Sequence, residues 1–193
     1  MQRDYFVLQR ALSQVHPLLA WNQSASAFRK GRPVDVDEPV KLRLGDPVPP
    51  RLVMADHHSL PSPVVSARLR DVLEAADLRG VQLVPADVQV GDSELRYWLV
   101  HMWRTLRCVD RERSVFEDSD SGLFMVSLDR LVLDERVLRD VPLEERRAFR
   151  LAESTVHIFH RDVVARVQAM VPAPEGLRFV PVEEWGDASR FQG

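Results

Sequence analysis

Six histidines, one cysteine and one acidic turn are the residues of this chain whose types invite a chemical reading. His57 and His58 stand in tandem, and His157 and His160 stand three apart beside Asp162. Imidazoles and carboxylates at such spacings can share a metal or pass a proton. Neither arrangement fits. Neighbouring side chains on extended backbone point apart, so His57 and His58 do not converge on one metal. His157 falls in an expected strand and His160 at an expected helix start, where capping or a surface position is the expected role. Cys108 ends a long apolar run, where a small buried thiol is common, and only a nearby base that lowered its pKa would make it a nucleophile. Ser121-Gly122 lacks the glycine two residues earlier that a nucleophile elbow uses. Asp118-Ser119-Asp120-Ser121-Gly122 begins like a calcium loop, but Leu123 stands where the sharp turn needs glycine. The eight glycines do not cluster into a phosphate-cradling loop. The residues imply no catalytic group, no metal and no cofactor.

What they offer instead is surface. Glu117, Asp118 and Asp120 make an acidic turn that would steer a cationic partner, although a solvated turn is the plainer reading. His57 and His58, in a proline-rich loop, are the second candidate contact. The formal net charge of −3 argues against broad affinity for nucleic acid or anionic membrane. Arg104, Arg107, Arg111 and Arg113 alternate with Asp110 and Glu112, which reads as a mixed, paired surface. The cations are nearly all arginine, with lysine only at Lys30 and Lys41, a bias a GC-rich genome accounts for. One cysteine cannot form an internal disulfide, so a reducing compartment, the cytoplasm, is expected. The N-terminus carries no signal-like apolar stretch, and no run approaches the roughly 20 apolar residues of a spanning helix.

The elements that must carry these residues form an α/β (α+β) pattern: a mixed, mainly antiparallel sheet with two packed helices. The 193 residues read as a single domain, 1–193. Within it, 1–62 is an N-terminal strand (4–9) and a proline-rich wrapping loop, 63–110 a first helix–strand lobe, and 111–193 a second lobe. Seven prolines lie between Ser24 and Pro63, with Val40 to Leu44 as one extended piece. Leu69, Val72, Leu73 and Ala76 share one helical face, with Ser62 or Ser66 as cap and Gly80 at the exit. Val81 to Val90 is a strand, and Leu95 to Arg107, apolar on both faces, reads as a central one. Val115-Phe116, Leu123 to Leu128 and Val156 to Phe159 are further strand candidates, while Leu143 to Arg150 is charged and locally helical or irregular. A second helix buries Val163, Val164, Val167 and Met170. Gly80-Val81-Gln82-Leu83-Val84-Pro85 and Gly176-Leu177-Arg178-Phe179-Val180-Pro181 share one pattern after a helix. The match reads either as a duplicated helix–strand unit or as convergence of two connections.

Several of these segments, taken in order, resemble a known family. They are Pro63-Val64-Val65-Ser66 with the helix 68–76, the Gly80 to Pro85 strand, Tyr97-Trp98-Leu99-Val100, Cys108 to Ser114, Phe149-Arg150-Leu151, and the late helix with Gly176 to Pro181. Their order and spacing are similar to the eleventh numbered immunity-protein family of bacterial polymorphic toxin systems, above all the versions abundant in myxobacteria. The resemblance is good over 60–185 and weak before, and 143–147 and 156–160 are more charged or histidine-rich than the pattern. It implies a cytoplasmic protein that binds and neutralises a cognate protein toxin by occlusion, without catalysis; no catalytic residue is carried over. Two other classes stay open: a regulatory or scaffold protein-binding module, and a small-molecule enzyme using Cys108 or the histidines. Oligomeric state is not legible.

Overall fold

The computed structural model describes residues 1–122 and 125–188. Alternating burial marks the first strand, β1 (Tyr5–Arg10), whose Tyr5, Val7 and Gln9 point to one side. The proline-rich segment after it holds more regular structure than the single strand its composition suggests: β2 (Leu19–Trp21), a 3-10 turn at Ser26–Arg29, β3 (Val40–Leu44) and β4 (His57–His58). The reason is backbone accounting, since a segment laid across a sheet must pair the polar groups it buries.

β5 (Val64–Val65) feeds α1 (Ala67–Ala75), whose N-cap is Ser66: its Oγ accepts the Leu69 N–H. Such a cap is worth about 1 kcal/mol. Leu69, Leu73 and Ala76 are buried on the face the spacing marks out, and each leucine contributes about 1.5–3 kcal/mol. β6 (Val81–Val90) and β7 (Ser93–Met102) form a hairpin across Gly91-Asp92. Pro85 lies inside β6, yet costs no ladder bond on the far side because β3 joins β6 only from Ala86 onward. The apolar run 95–107 is divided at Trp103-Arg104, after which β8 (Thr105–Leu106) enters a different sheet.

The second half contains β9 (Val115–Asp118), β10 (Met125–Arg130), α2 (Glu135–Asp140), β11 (Ala148–Leu151), β12 (His157–His160), α3 (Arg161–Gln168) and β13 (Leu177–Pro181). Of the strand expected over Leu123 to Leu128, Leu123 and Phe124 lie outside the described residues. The charged stretch 143–150 splits into a 3-10 turn at Leu143–Glu145 and β11, which is buried at Ala148, Phe149 and Leu151. The short helix α2, capped by Asp134, adds a third helix to the expected two.

The architecture is a mixed α+β fold with mainly antiparallel sheets. Strand orders are β2-β3-β6-β7-β5-β4 in the larger sheet, β13-β1-β12-β11-β8 in the second and β9-β10 in a ribbon, with β3–β6 and β8–β11 the parallel pairs among the described residues. Apolar clusters define the stacking. The wrapping segment (Leu19, Trp21, Phe28, Val34) covers one face of the larger sheet; α1 and α3 fill the space between its other face and the five-stranded sheet. The ribbon and α2 close the far side, over Tyr5, Val7, Phe149, Leu151 and Ile158.

The repeated six-residue pattern occupies equivalent places. In one unit β5, α1 and β6 flank the antiparallel β7; in the other β12, α3 and β13 flank the antiparallel β1. Leu83 lies opposite Val100 and Phe179 opposite Leu8, and all four face the same seam. Both exits turn on a left-handed glycine, Gly80 at φ 79° and Gly176 at φ 84°. A Cβ on Gly80 would lie 2.2 Å from Arg104 Cβ, and one on Gly176 2.4 Å from the His57 carbonyl oxygen. Gly80→Ala and Gly176→Ala therefore each lower stability by about 2–4 kcal/mol, left-handed strain plus overpacking. Gly91→Ala, at φ 57° in open space, costs only the strain, about 1 kcal/mol. Urea midpoints at unchanged slope measure both; equal losses at all three positions would refute the packing argument.

Candidate functional site

The thiol and the imidazoles do not meet. Cys108, 1 % exposed, follows β8 and packs among Leu106, Leu133 and Leu151 in the core beneath the ribbon. Burial pushes its thiol well above the ordinary value, and the Glu153 and Asp134 carboxylates push it further. That environment is the reverse of the cationic one that makes a thiolate. Glu153 itself, buried, accepts the Val109 N–H through Oε1 at 3.3 Å, a contact no sequence pattern announces.

His57 and His58 are each 2 % exposed. They lie in β4, not in an open loop, and their rings point to opposite sides as the extended backbone requires: His57 Nδ1 toward the Gly176 carbonyl at 3.1 Å, His58 Nδ1 toward the Pro17 carbonyl at 3.0 Å. In this fold they present nothing to an outside surface. His157 sits mid-sheet opposite Arg150, and burial holds it down to about 3. His160 caps α3, with Nδ1 2.8 Å from Asp162 Oδ1. Among the described residues no group of three His, Cys, Asp or Glu side chains is placed to hold a metal ion. The groove between β1, β12 and residues 59–62 is lined by Val7, Gln9, Arg10, Leu60, His157 and Trp185; of the groups considered above, His157 alone reaches it.

The acidic residues are arranged differently. Glu117 and Asp118 belong to β9 and Asp120 to the turn beyond it. One face of the ribbon is anchored, with Phe116 opposite Leu128 over the core. Arg111 lies over the Phe116 ring, 4.6 Å from its centroid, and pairs with Asp118. Val115 and Val126 are exposed, at 47 % and 65 %. No hydrogen bond or ion pair engages the carboxylates of Glu117 and Asp120 among the described residues. Asp110 holds Arg113 at 2.7 Å, and Arg104 pairs with Glu145, so much of the neighbouring arginine charge is already committed. The ribbon thus displays apolar side chains beside uncompensated carboxylates on a fixed base.

Sealed this way, Cys108 should stay unmodified by a disulfide reagent at pH 8 in the native protein and react fully once urea unfolds it. Modification of the folded protein at the rate of a free thiol would reopen the nucleophile reading.

A spanning helix is not part of this arrangement: among the described residues no helix is long and apolar enough to cross a membrane. No curated protein matches the chain. The model of the immunity protein family Imm11 matches residues 2–184, taking in the first 60 residues where the sequence resemblance is weakest. The chain belongs to the Imm11 immunity protein family.

Proposed function

We propose that this protein neutralises a cognate toxin of a polymorphic toxin system by binding it and covering the surface the toxin needs, and that it does so without catalysis, in the cytoplasm of the producing bacterium. The myxobacterial resemblance points to such a producer. The reading takes the chain as one domain, 1–193, with the second helix–strand unit a duplicate of the first. Family membership supplies the class of partner. The observation that carries the mode of action is the ribbon, where Glu117 and Asp120 stand unpaired beside exposed Val115 and Val126.

An interface of this kind needs apolar contact area for affinity and charge for orientation and rate. Asp118 contributes less charge, because Arg111 already neutralises it. The partner's matching surface is cationic. A small-molecule enzyme would need reactive groups converging on one cavity, whereas Cys108 is sealed in the core beneath the ribbon, apart from the imidazoles of His57 and His58, which are engaged with backbone carbonyls.

Co-expression with the toxin encoded beside it should restore growth of a susceptible host, and the two proteins should co-purify. Glu117→Lys and Asp120→Lys together should weaken that complex at least about tenfold, with most of the loss at low salt. Wild-type protein that neither binds nor protects sinks the neutralisation reading. Binding that ignores both reversals moves the contact surface away from the ribbon.

A further inference from the structure

The edge of the larger sheet is closed by a short strap, residues 53–60, with β4 at its centre. Among the described residues β4 pairs with β5 alone, His57 opposite Val65 and His58 opposite Val64. Besides the clamp of Asp56 onto Ser66, Arg68 and the Glu175 N–H, four contacts that hold the strap run through imidazoles. His58 Nδ1 lies 3.0 Å from the Pro17 carbonyl, which can only accept, so Nδ1 carries the hydrogen. That tautomer leaves Nε2 as an acceptor, and it receives the Ala55 N–H at 3.3 Å. His57 Nδ1 donates to the Gly176 carbonyl at 3.1 Å, and its Nε2 is buried with no hydrogen-bond partner among the described residues. Leu8, Val65, Leu69, Leu73 and Phe159 surround that ring. At the start of the strap His16 Nδ1 meets the Val53 carbonyl at 3.0 Å.

A second proton on either residue goes to Nε2 and leaves the Nδ1 bonds to the Pro17 and Gly176 carbonyls in place. On His58 it sets a hydrogen against the Ala55 N–H, donor facing donor. On His57 it puts a charged N–H among aliphatic side chains. The Gly176 and Pro17 carbonyls compensate only in part, and the charged neighbours add to the cost. His57 faces Arg10 of β1, His58 beside it and His157 of β12; His58 faces Arg10 and His16; His157 faces Arg150 of β11. From β7, Tyr97 meets the His58 ring edge-on and donates its phenol to the Ala55 carbonyl. α1, α3 and β13 bring Leu69, Leu73, Val167, Leu177 and Phe179 to the seam. The nearest carboxylate in sequence, Asp56, is held by Arg68.

We propose that the strap 53–60 is an acid-released latch, closed by neutral His57 and His58 and detached when both are protonated, baring the β5 edge and the seam beneath while the two sheets stay folded. Burial holds His57 down to about 4 and lowers His58 as well. A histidine depressed in the closed state takes its proton more readily in the open one. The latch is therefore fully closed above the free imidazole value of 6.5 and loses stability as the pH falls from there toward 4. At pH 4.5 the shift of His57 alone favours opening by about 80-fold. This latch does not depend on the toxin-binding reading.

Hydrogen exchange of the full chain, corrected for the intrinsic pH dependence, tests it. The strap amides are those of Val53, Ala55 and His57, bonded to Val15, His58 and Glu175. They should lose protection by about 60-fold between pH 7 and pH 4.5 while the β6–β7 amides keep theirs. H57N and H58N offer a non-titrating N–H at the Nδ1 position and should flatten that response. H101Q, whose site bonds the Arg32 carbonyl away from the strap, should leave it unchanged. The latch is refuted if strap and β6–β7 amides open together, if H57N and H58N respond to acid as the wild type does, or if wild-type His57 and His58 titrate near 6.5 by NMR. The NMR titration decides the matter even where a variant does not fold.

Discussion

Where residues 55–58 cross residues 172–176, a single carboxylate organises four donors. Asp56 accepts from Arg68 Nε and Nη2 at 2.8 and 2.6 Å, from Ser66 Oγ at 2.7 Å and from the Glu175 N–H at 2.9 Å. Arg68 extends the same clamp to the Pro172 and Ala173 carbonyls, and the His57 N–H reaches the Glu175 carbonyl. Burial works against the charge on Asp56, but Arg68, the Glu175 N–H and Ser66 outweigh it and hold the carboxyl at about 2. A depressed carboxyl stabilises the fold above its free value of 3.8 and gives that up as pH falls toward 2, a contribution of order 2 kcal/mol. The crossing joins the first turn of α1, the edge of the larger sheet and the exit of α3. Beside it, the two helix–strand units share the apolar seam, which by itself fixes no angle between them, and single contacts such as Arg166 to the Ala75 carbonyl.

The display ribbon depends on that joint at one remove. Its inner strand is tied down by the Met125 N–H to the Glu153 carbonyl and by the Leu128 N–H to Asp187 Oδ2, both at 2.8 Å. Those anchors stand on the five-stranded sheet, whose other face is the shared seam. A surface held this way loses little conformational freedom when a partner lands, so more of its contact energy remains as affinity. Under the proposed binding role the anchors lie behind the ribbon and the uncompensated charge in front, whereas a catalytic pocket would gather its ionisable groups inward.

Much of the frame was legible because its signals are local. α1 announces itself through Leu69, Leu73 and Ala76 and its Ser66 cap; the two exits announce themselves through glycines that only a left-handed turn explains. β4 could not be read, since two residues have no period. His57 and His58 look like loop residues until Gly176, 119 positions after His57, arrives to receive an imidazole N–H. The same holds for Glu153, whose burial is decided by the Val109 N–H. The acidic turn was visible as composition, but the split between paired Asp118 and unpaired Glu117 follows from Arg111, which the alternating charges 110–113 could not assign. Tertiary partners, not propensities, separate the structural polar residues from the displayed ones.

Arginine usage shows how far that separation goes. Read as composition, the near absence of lysine says something about the genome; read in the fold, several arginines do a job lysine's single ammonium does poorly. Arg147 holds Asp162 with Nε while Nη1 reaches the Ala76 carbonyl, and Arg166 reaches the Ala75 carbonyl. Both carbonyls belong to the C-terminal end of α1, where the helix leaves acceptors unsatisfied and its dipole favours a cation. Arg166 comes from α3 of the other unit, and Arg147 from the residue before β11. Arg10 likewise bridges the Ser13 and His16 carbonyls in a stretch leading to Pro17, whose own nitrogen has no hydrogen to give. A planar fork can serve two acceptors in fixed directions at once, so the arginines brace proline-rich connections and cap a helix across the joint, which leaves the shape of the displayed ribbon to be set by the frame behind it.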